Sequence, residues 1–172
     1  MTPFIALLRA VNVGGTGKLP MKDLVAMCEE AGFTNVKTYI ASGNAVFASD
    51  KSETQVKAEL ERALLSYAHK PVGVLVRSAA EIADVLATNP FPEEAPNRTV
   101  AIFLDAPPPS DTVKALTGQK DEDVRLGVRE IYIHYPGGQG QSKLKIPAAK
   151  TGTARNMNTV AKLAAMAAAL RA

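Results

Sequence analysis

Residues 4–20 combine three features that restrict the fold: an apolar run, a glycine-rich loop and a proline. The run at 4–11 is nearly continuous in apolar side chains, which is typical of a strand that is covered on both faces. Pro20 is suited to the start of a helix. A strand, a loop and a helix start in this order bring backbone N–H groups to one end of a sheet, which favours anion binding.

Polar and glycine residues at the end of this predicted strand form the first candidate site. Arg9 and Lys18 are expected to neutralise a negative charge and Asn12 to orient the ligand, beside Gly14 and Gly15. The loop is not a P-loop, because Leu19 stands where the magnesium-binding hydroxyl would follow the lysine.

Apolar periodicity predicts a β-α-β-β-α-β order for residues 1–77, the order of a ferredoxin-like unit. The predicted elements are a strand at 4–11, a helix at 21–31, strands at 36–41 and 45–48, a helix at 52–69 and a strand at 72–76.

Residues 78–172 show a similar order without its last strand. The predicted elements are a helix from Ser78, a strand at 98–104, a helix at 110–117, a hairpin at 124–135 and a helix from about Thr159. We therefore predict an α+β fold of two ferredoxin-like (β-α-β-β-α) halves with antiparallel sheets, with domains at 1–77 and 78–172.

A second group of candidate residues follows from this topology. In a ferredoxin-like unit the first two strands run the same way with the third between them, so the end of the first strand lies near the hairpin after the second. This places Ser42, Gly43 and Asn44 beside Arg9, as a small-ligand pocket requires. Taken alone, the three residues are also typical of a plain hairpin turn.

A third candidate precedes the last predicted helix. Asn158 or Thr159 is expected to cap the helix, leaving N–H groups beside Arg155 and Asn156 that could hold an anion. A capped helix with a solvated arginine explains the segment equally well.

The charge distribution suggests an acidic partner. Residues 131–172 hold 6 Lys/Arg and no Asp or Glu, a charge of +6, whereas residues 1–130 hold 14 Lys/Arg and 17 Asp/Glu, a charge of −3. We predict a small anionic or phosphorylated ligand, with nucleic acid as the alternative partner and a solvated basic face as the neutral explanation. Only 5% aromatic residues and no tryptophan weigh against nucleic acid.

Catalytic and metal patterns are weak, so the sequence does not decide whether the protein is an enzyme. Ser42 lacks the Gly-x-Ser-x-Gly setting of a hydrolase, and Cys28 falls on an apolar helix stripe. We predict no metal site and no cofactor. The lone cysteine and the lack of a membrane-spanning run favour the cytoplasm, and the oligomeric state stays open.

Five motifs spread along the chain carry a resemblance. They are LRAVNVGG at 8–15, YIASGNAVF at 39–47, NPFP at 89–92, the segment 131–144 and TARNMNT at 153–159. In these motifs the chain resembles the domain of unknown function 1697 family of bacterial proteins. Ala10 stands where that family usually has glycine, and Met157 where it usually has an aromatic residue. The resemblance implies paired ferredoxin-like α+β halves and no established activity.

Overall fold

The computed structural model describes residues 1–12 and 18–170 and has an α+β fold. Two four-stranded antiparallel sheets form, each within its own compact unit. The first unit comprises residues 1–83 and 162–172, and the second comprises residues 84–161. The fold class predicted from the sequence is thus confirmed, and the predicted domains, 1–77 and 78–172, stay a prediction.

The first sheet has the strand order β2-β3-β1-β4. Its chain segment contains β1 (Thr2–Leu8), α1 (Met21–Glu30), β2 (Thr34–Thr38), β3 (Asn44–Ser49), α2 (Glu53–Ala68), β4 (Val74–Ser78) and α3 (Ala79–Ala87). Because β3 pairs antiparallel with both β1 and β2, the first two strands run in the same direction. This is the arrangement that the sequence predicted.

Strand β1 is central and fully buried from Phe4 to Leu8. It pairs with β3 on one side, where Leu7 lies opposite Asn44, and with β4 on the other, where Leu8 lies opposite Val74. The core of the unit joins apolar residues of this sheet to those of α1 and α2, among them Leu24, Cys28, Leu60 and Leu64. This continuous burial explains the apolar run in the sequence.

The second sheet repeats the strand arrangement of the first, with the order β6-β7-β5-β8. Its strands are β5 (Thr99–Phe103), β6 (Asp123–Leu126), β7 (Glu130–His134) and β8 (Thr153–Asn156). Helix α4 (Met157–Ala168) follows β8 in the chain. Short 3-10 turns lie at Pro96–Arg98, Gln139–Gln141 and Pro147–Ala149.

Two details of the second half differ from the prediction. Residues 110–115 form turns rather than a helix, because Val113 is exposed and Leu116 only half-buried, so the segment has too little apolar surface to stabilise so short a helix. Strand β8 was not predicted, because it has four residues and the buried residue at its centre is the charged Arg155.

Each unit has the same junction between its last strand and the following helix. Arg77 lies opposite Ile5 in the first sheet and Arg155 opposite Ala101 in the second. Both guanidinium groups are buried and donate through Nη1 to the carbonyl oxygen of the preceding residue, at 3.0 and 2.9 Å. In each unit, a polar residue caps the helix immediately after the arginine.

The caps are Ser78 and Asn156. Ser78 Oγ accepts from the backbone N–H of Glu81 at 3.2 Å, and the Glu81 carboxylate accepts from the Ser78 N–H at 2.9 Å, so the two residues form a capping box at the start of the predicted helix. The Oδ1 of Asn156 accepts from the Thr159 N–H at 3.0 Å. The predicted caps Asn158 and Thr159 are therefore wrong, and the last helix begins at Met157.

Within the part of the chain that the structure describes, no helix combines the length and apolar character needed to cross a bilayer. The cytoplasmic location stays a prediction.

Two glycines with left-handed backbones provide a matched test of the β1–β3 packing. A Cβ at Gly43 (φ +93°) would lie 2.7 Å from Val11 Cγ2 and 2.9 Å from Leu8 Cβ, whereas one at Gly32 (φ +87°) would meet no atom within 4 Å. We expect Gly43→Ala to lower the free energy of unfolding by roughly 2–5 kcal/mol, from backbone strain plus overpacking. Gly32→Ala should cost only about 1–2 kcal/mol, from strain alone. Equal losses in urea unfolding would contradict the close approach at Gly43.

Candidate functional site

The end of β1 is fixed to its neighbours on both sides. The Leu8 N–H donates to the Gly43 carbonyl oxygen at 2.9 Å, and the Arg9 N–H donates to the Gly73 carbonyl oxygen at 2.9 Å. Successive N–H groups of an extended strand point in opposite directions. The last residues of β1 thereby bring the hairpin after β2 and the segment before β4 to one edge of the sheet.

The Asn12 side chain ties three segments together at this edge. Its Nδ2 donates to the carbonyl oxygens of Leu19 (2.9 Å) and Ala41 (2.8 Å), and its Oδ1 accepts from the Leu19 N–H at 2.6 Å. The amide thus joins the end of β1, the segment before α1 and the β2–β3 hairpin. These bonds engage both polar atoms of the side chain in the fold.

Ser42, Gly43 and Asn44 lie at the same edge as Arg9, as the topology predicted. The buried Asn44 donates through Nδ2 to the Tyr39 carbonyl oxygen at 2.8 Å and to Ser42 Oγ at 3.1 Å. Such bonds stabilise the turn of the hairpin, which is the plainer of the two explanations that the sequence allowed.

A cleft of about 570 Å³ opens beside this edge in the first unit. Its walls are the end of β1, the segment before α1, the last turns of α2 and the segment before β4. Three cationic side chains line it: Arg9, Lys18 and Lys70. Buried apolar residues also line it: Val11, Leu19 and Leu64.

Gly73 makes room for the stem of Arg9. A Cβ at position 73 would come within 2.9 Å of Arg9 Cδ and 3.5 Å of Arg9 Cγ. The guanidinium-bearing chain is half-buried, so its position along the cleft wall depends on this glycine. The sequence carries no periodic signal for this contact, and Gly73 was not predicted as a site residue.

Two further cleft residues, Tyr67 and Lys70, come from the end of α2 and were also missed. The Tyr67 hydroxyl donates to Asp23 Oδ2 at 2.7 Å, which joins the last turn of α2 to the first turn of α1. This hydrogen bond to the carboxylate raises the pKa of Tyr67. Tyr67 is 42% exposed and lines the cleft. No local pattern could have found these residues, since tertiary packing brings them to β1.

Left-handed backbone conformations are concentrated at this edge. Ala10 (φ 51°), Asn12 (φ 55°) and Ile40 (φ 52°) are not glycines. Ile40 is the least expected, because a β-branched residue is disfavoured in this region. Backbone strain of this kind occurs often at functional sites. The left-handed φ of Ala10 also gives a physical reason for the glycine that the resembling family usually has there.

The remaining predicted residues fall into two groups. Gly14 and Gly15 lie outside the described residues. Arg155, Asn156 and Asn158 belong to the junction of β8 and α4 in the second unit. Arg155 donates through Nη1 to Thr153 Oγ1 at 2.9 Å, and burial lowers its pKa to about 10, so it stays protonated at neutral pH.

The glycine-containing loop at 137–143 lines a smaller cleft, of about 310 Å³, in the second unit. Ser142 Oγ donates to the Glu122 carboxylate and accepts from the Leu144 N–H at 3.1 Å. The serine hydrogen bond holds the pKa of Glu122 below its usual range. A carboxylate with a lowered pKa is a weak base, so this pair is suited to fixing the loop rather than to activating a nucleophile.

Cys28 is not a candidate nucleophile. It is fully buried in α1, and burial raises the pKa of its thiol to about 12. The thiolate, which is the reactive form, is therefore scarce at neutral pH.

Asn12 and Asn35 provide a matched test of the hydrogen bonds that Asn12 makes at the sheet edge. Both have left-handed backbones (φ 55° and 54°), but Asn35 is exposed. We expect Asn12→Ala to lower the free energy of unfolding by roughly 2–4 kcal/mol, because three hydrogen bonds are lost. Asn35→Ala should cost less than about 1 kcal/mol. Chemical denaturation that gave equal losses would contradict the role of Asn12.

Comparisons with known proteins place the chain in a family. It matches the model of the family described as "Protein of unknown function (DUF1697)" over residues 1–132. It is similar to the conserved bacterial protein SP0830 from Streptococcus pneumoniae, with 26% identity, a TM-score of 0.80, and coverage of 96% of this chain and 98% of that one. No curated protein matches the chain. With its fold and the family match in agreement, the chain belongs to the DUF1697 family of proteins of unknown function.

Proposed function

We propose that the first unit binds a small anionic ligand, such as a phosphate ester, in the cleft at the end of β1. The observation that carries this proposal is that Arg9, Lys18 and Lys70 line one cleft over buried apolar residues. Arg9 is suited to bind the anion through two N–H groups, and the lysines add positive charge.

The electrostatics of the cleft support an anion. Among the described residues that line it, none is an aspartate or glutamate. Asp23, whose carboxylate accepts the Tyr67 hydroxyl, lies nearby and keeps its negative charge, so the three lining cations outnumber it. A partly buried cation interacts with a bound anion more strongly than an exposed one does, because water and salt screen the pair less.

The start of α1 adds to the positive electrostatic potential of the cleft. The N-cap residue is Pro20, whose side chain makes no capping hydrogen bond to the first turn. The positive end of the helix dipole therefore follows directly after Lys18 and Leu19, which line the cleft. An anion in the cleft would benefit from this partial charge as well as from the three cations.

The other predicted site residues take different roles in this proposal. Asn12, Ser42, Gly43 and Asn44 shape the edge of the sheet on which Arg9 lies. A ligand-binding role for Gly14, Gly15, Arg155, Asn156 and Asn158 rests on the sequence alone.

Replacing Arg9 tests the proposal. We expect Arg9→Met to weaken binding of ribose 5-phosphate by roughly 2–5 kcal/mol, because the anion loses its bidentate donor. Isothermal titration calorimetry at low ionic strength measures the affinity, and urea unfolding without ligand measures the stability of both proteins. The unliganded variant should be about as stable as the wild type.

Arg62→Met is the matched control, because Arg62 lies in the same unit with a 71% exposed side chain. It should bind ribose 5-phosphate as the wild type does. A large loss of stability in Arg9→Met, roughly 3–5 kcal/mol, would instead identify Arg9 as a member of a buried ion pair. Failure of the wild-type protein to bind the phosphate ester would overturn the proposal.

Nucleic acid is the alternative partner, and the salt dependence of DNA binding distinguishes it from a small anionic ligand. The basic residues of the segment 131–172 include the exposed Lys143, Lys145, Lys150 and Lys162. Arg155, in the same segment, is buried. We expect no binding of random-sequence single-stranded DNA at about 20 mM salt, where unscreened attraction is strongest. Binding that is present there and lost by about 150 mM salt in fluorescence anisotropy would favour the alternative.

A further inference from the structure

We infer that the ligand of this cleft carries a planar ring in addition to its phosphate, and that a nucleoside monophosphate has the chemistry that the cleft recognises. The inference rests on the proposed function and extends it from the anion to the whole ligand. Its basis is that the half-exposed Tyr67 and partly exposed apolar residues line the same cleft as the three cations.

The Tyr67 ring is held in place at its hydroxyl end. The hydroxyl donates to Asp23 Oδ2 at 2.7 Å, while the residue, which lines the cleft, is 42% exposed. An aromatic ring that is anchored through its polar group loses little conformational freedom when a second ring stacks on it. Ring stacking tolerates any base, because every base has a π-face.

The apolar lining of the cleft matches a ring rather than a bare anion. Apart from Tyr67, the partly exposed apolar residues that line it include Ala68, Pro71 and Val72. A free phosphate would leave this surface in contact with water. A ligand with an apolar planar body would cover it, and a volume of about 570 Å³ is within the range of small-molecule and cofactor sites.

The cleft has a cationic part and an aromatic part, and residues close together in the chain contribute to both, since Lys70 follows Tyr67 by three residues. Arg9 and Lys70 adjoin the segment before β4, where Gly73 contacts the Arg9 stem. Tyr67 and Leu64 lie one helical turn apart on α2, so they belong to the same face of that helix. A ligand with a phosphate at one end and a ring at the other can contact both parts.

The experiment compares four ligands by isothermal titration calorimetry: AMP, ribose 5-phosphate, adenosine and inorganic phosphate. We expect AMP to bind roughly tenfold more tightly than ribose 5-phosphate, which corresponds to one stacked base. Tyr67→Leu should remove that advantage and leave the affinity for ribose 5-phosphate within about twofold. Tyr67→Phe keeps the ring without the hydroxyl and should retain most of the advantage.

Each other outcome has a definite meaning. Equal affinities for AMP and ribose 5-phosphate, with no effect of Tyr67→Leu, would overturn this inference and leave the anion site intact. Adenosine that binds as tightly as AMP would overturn both proposals, because each requires the phosphate. The absence of binding by every phosphate-containing ligand would overturn the proposed function and the inference together. Urea unfolding of the two Tyr67 variants shows whether they are folded.

Discussion

The hydrogen bonds at the end of β1 are the constraint on which the first unit depends. Leu8 donates to the β2–β3 hairpin and Arg9 donates to the segment before β4. One strand end thus fixes two loops that are about thirty residues apart in sequence. Because β1 is buried between β3 and β4, its register cannot shift without exposing the core, and the cationic edge is held in place by the same packing that stabilises the unit.

The unfavourable features of this sheet edge are confined to a few residues. Ala10 and Ile40 have backbones that side chains of their type disfavour, and three cations line one cleft. Natural sequences depart from local preference mostly where function requires it. The Asn12 amide compensates part of the strain with three hydrogen bonds.

The sequence predicts those parts of the fold that local periodicity encodes. The apolar run of β1, the helix that follows Ser52 and the hairpin of β6 and β7 all appear in the structure. Strand β8 escaped prediction because Arg155 is its buried residue. Tyr67, Lys70 and Gly73 escaped because the contact between the end of α2 and the end of β1 is tertiary. The sequence thus located the sheet edge and Arg9 but not the opposite wall of the cleft.

The most direct test of the anion site is a titration of the ¹⁵N-labelled protein with ribose 5-phosphate, followed through its backbone amide resonances. Binding in the cleft predicts saturable shifts confined to the residues around it: Arg9 to Val11, Lys18, Leu19, and the segment from Tyr67 to Gly73. Inorganic sulfate at the same ionic strength controls for unspecific charge effects. Saturable shifts that instead fall on the second unit, or shifts that sulfate reproduces over the whole surface, would contradict a ligand site at the end of β1.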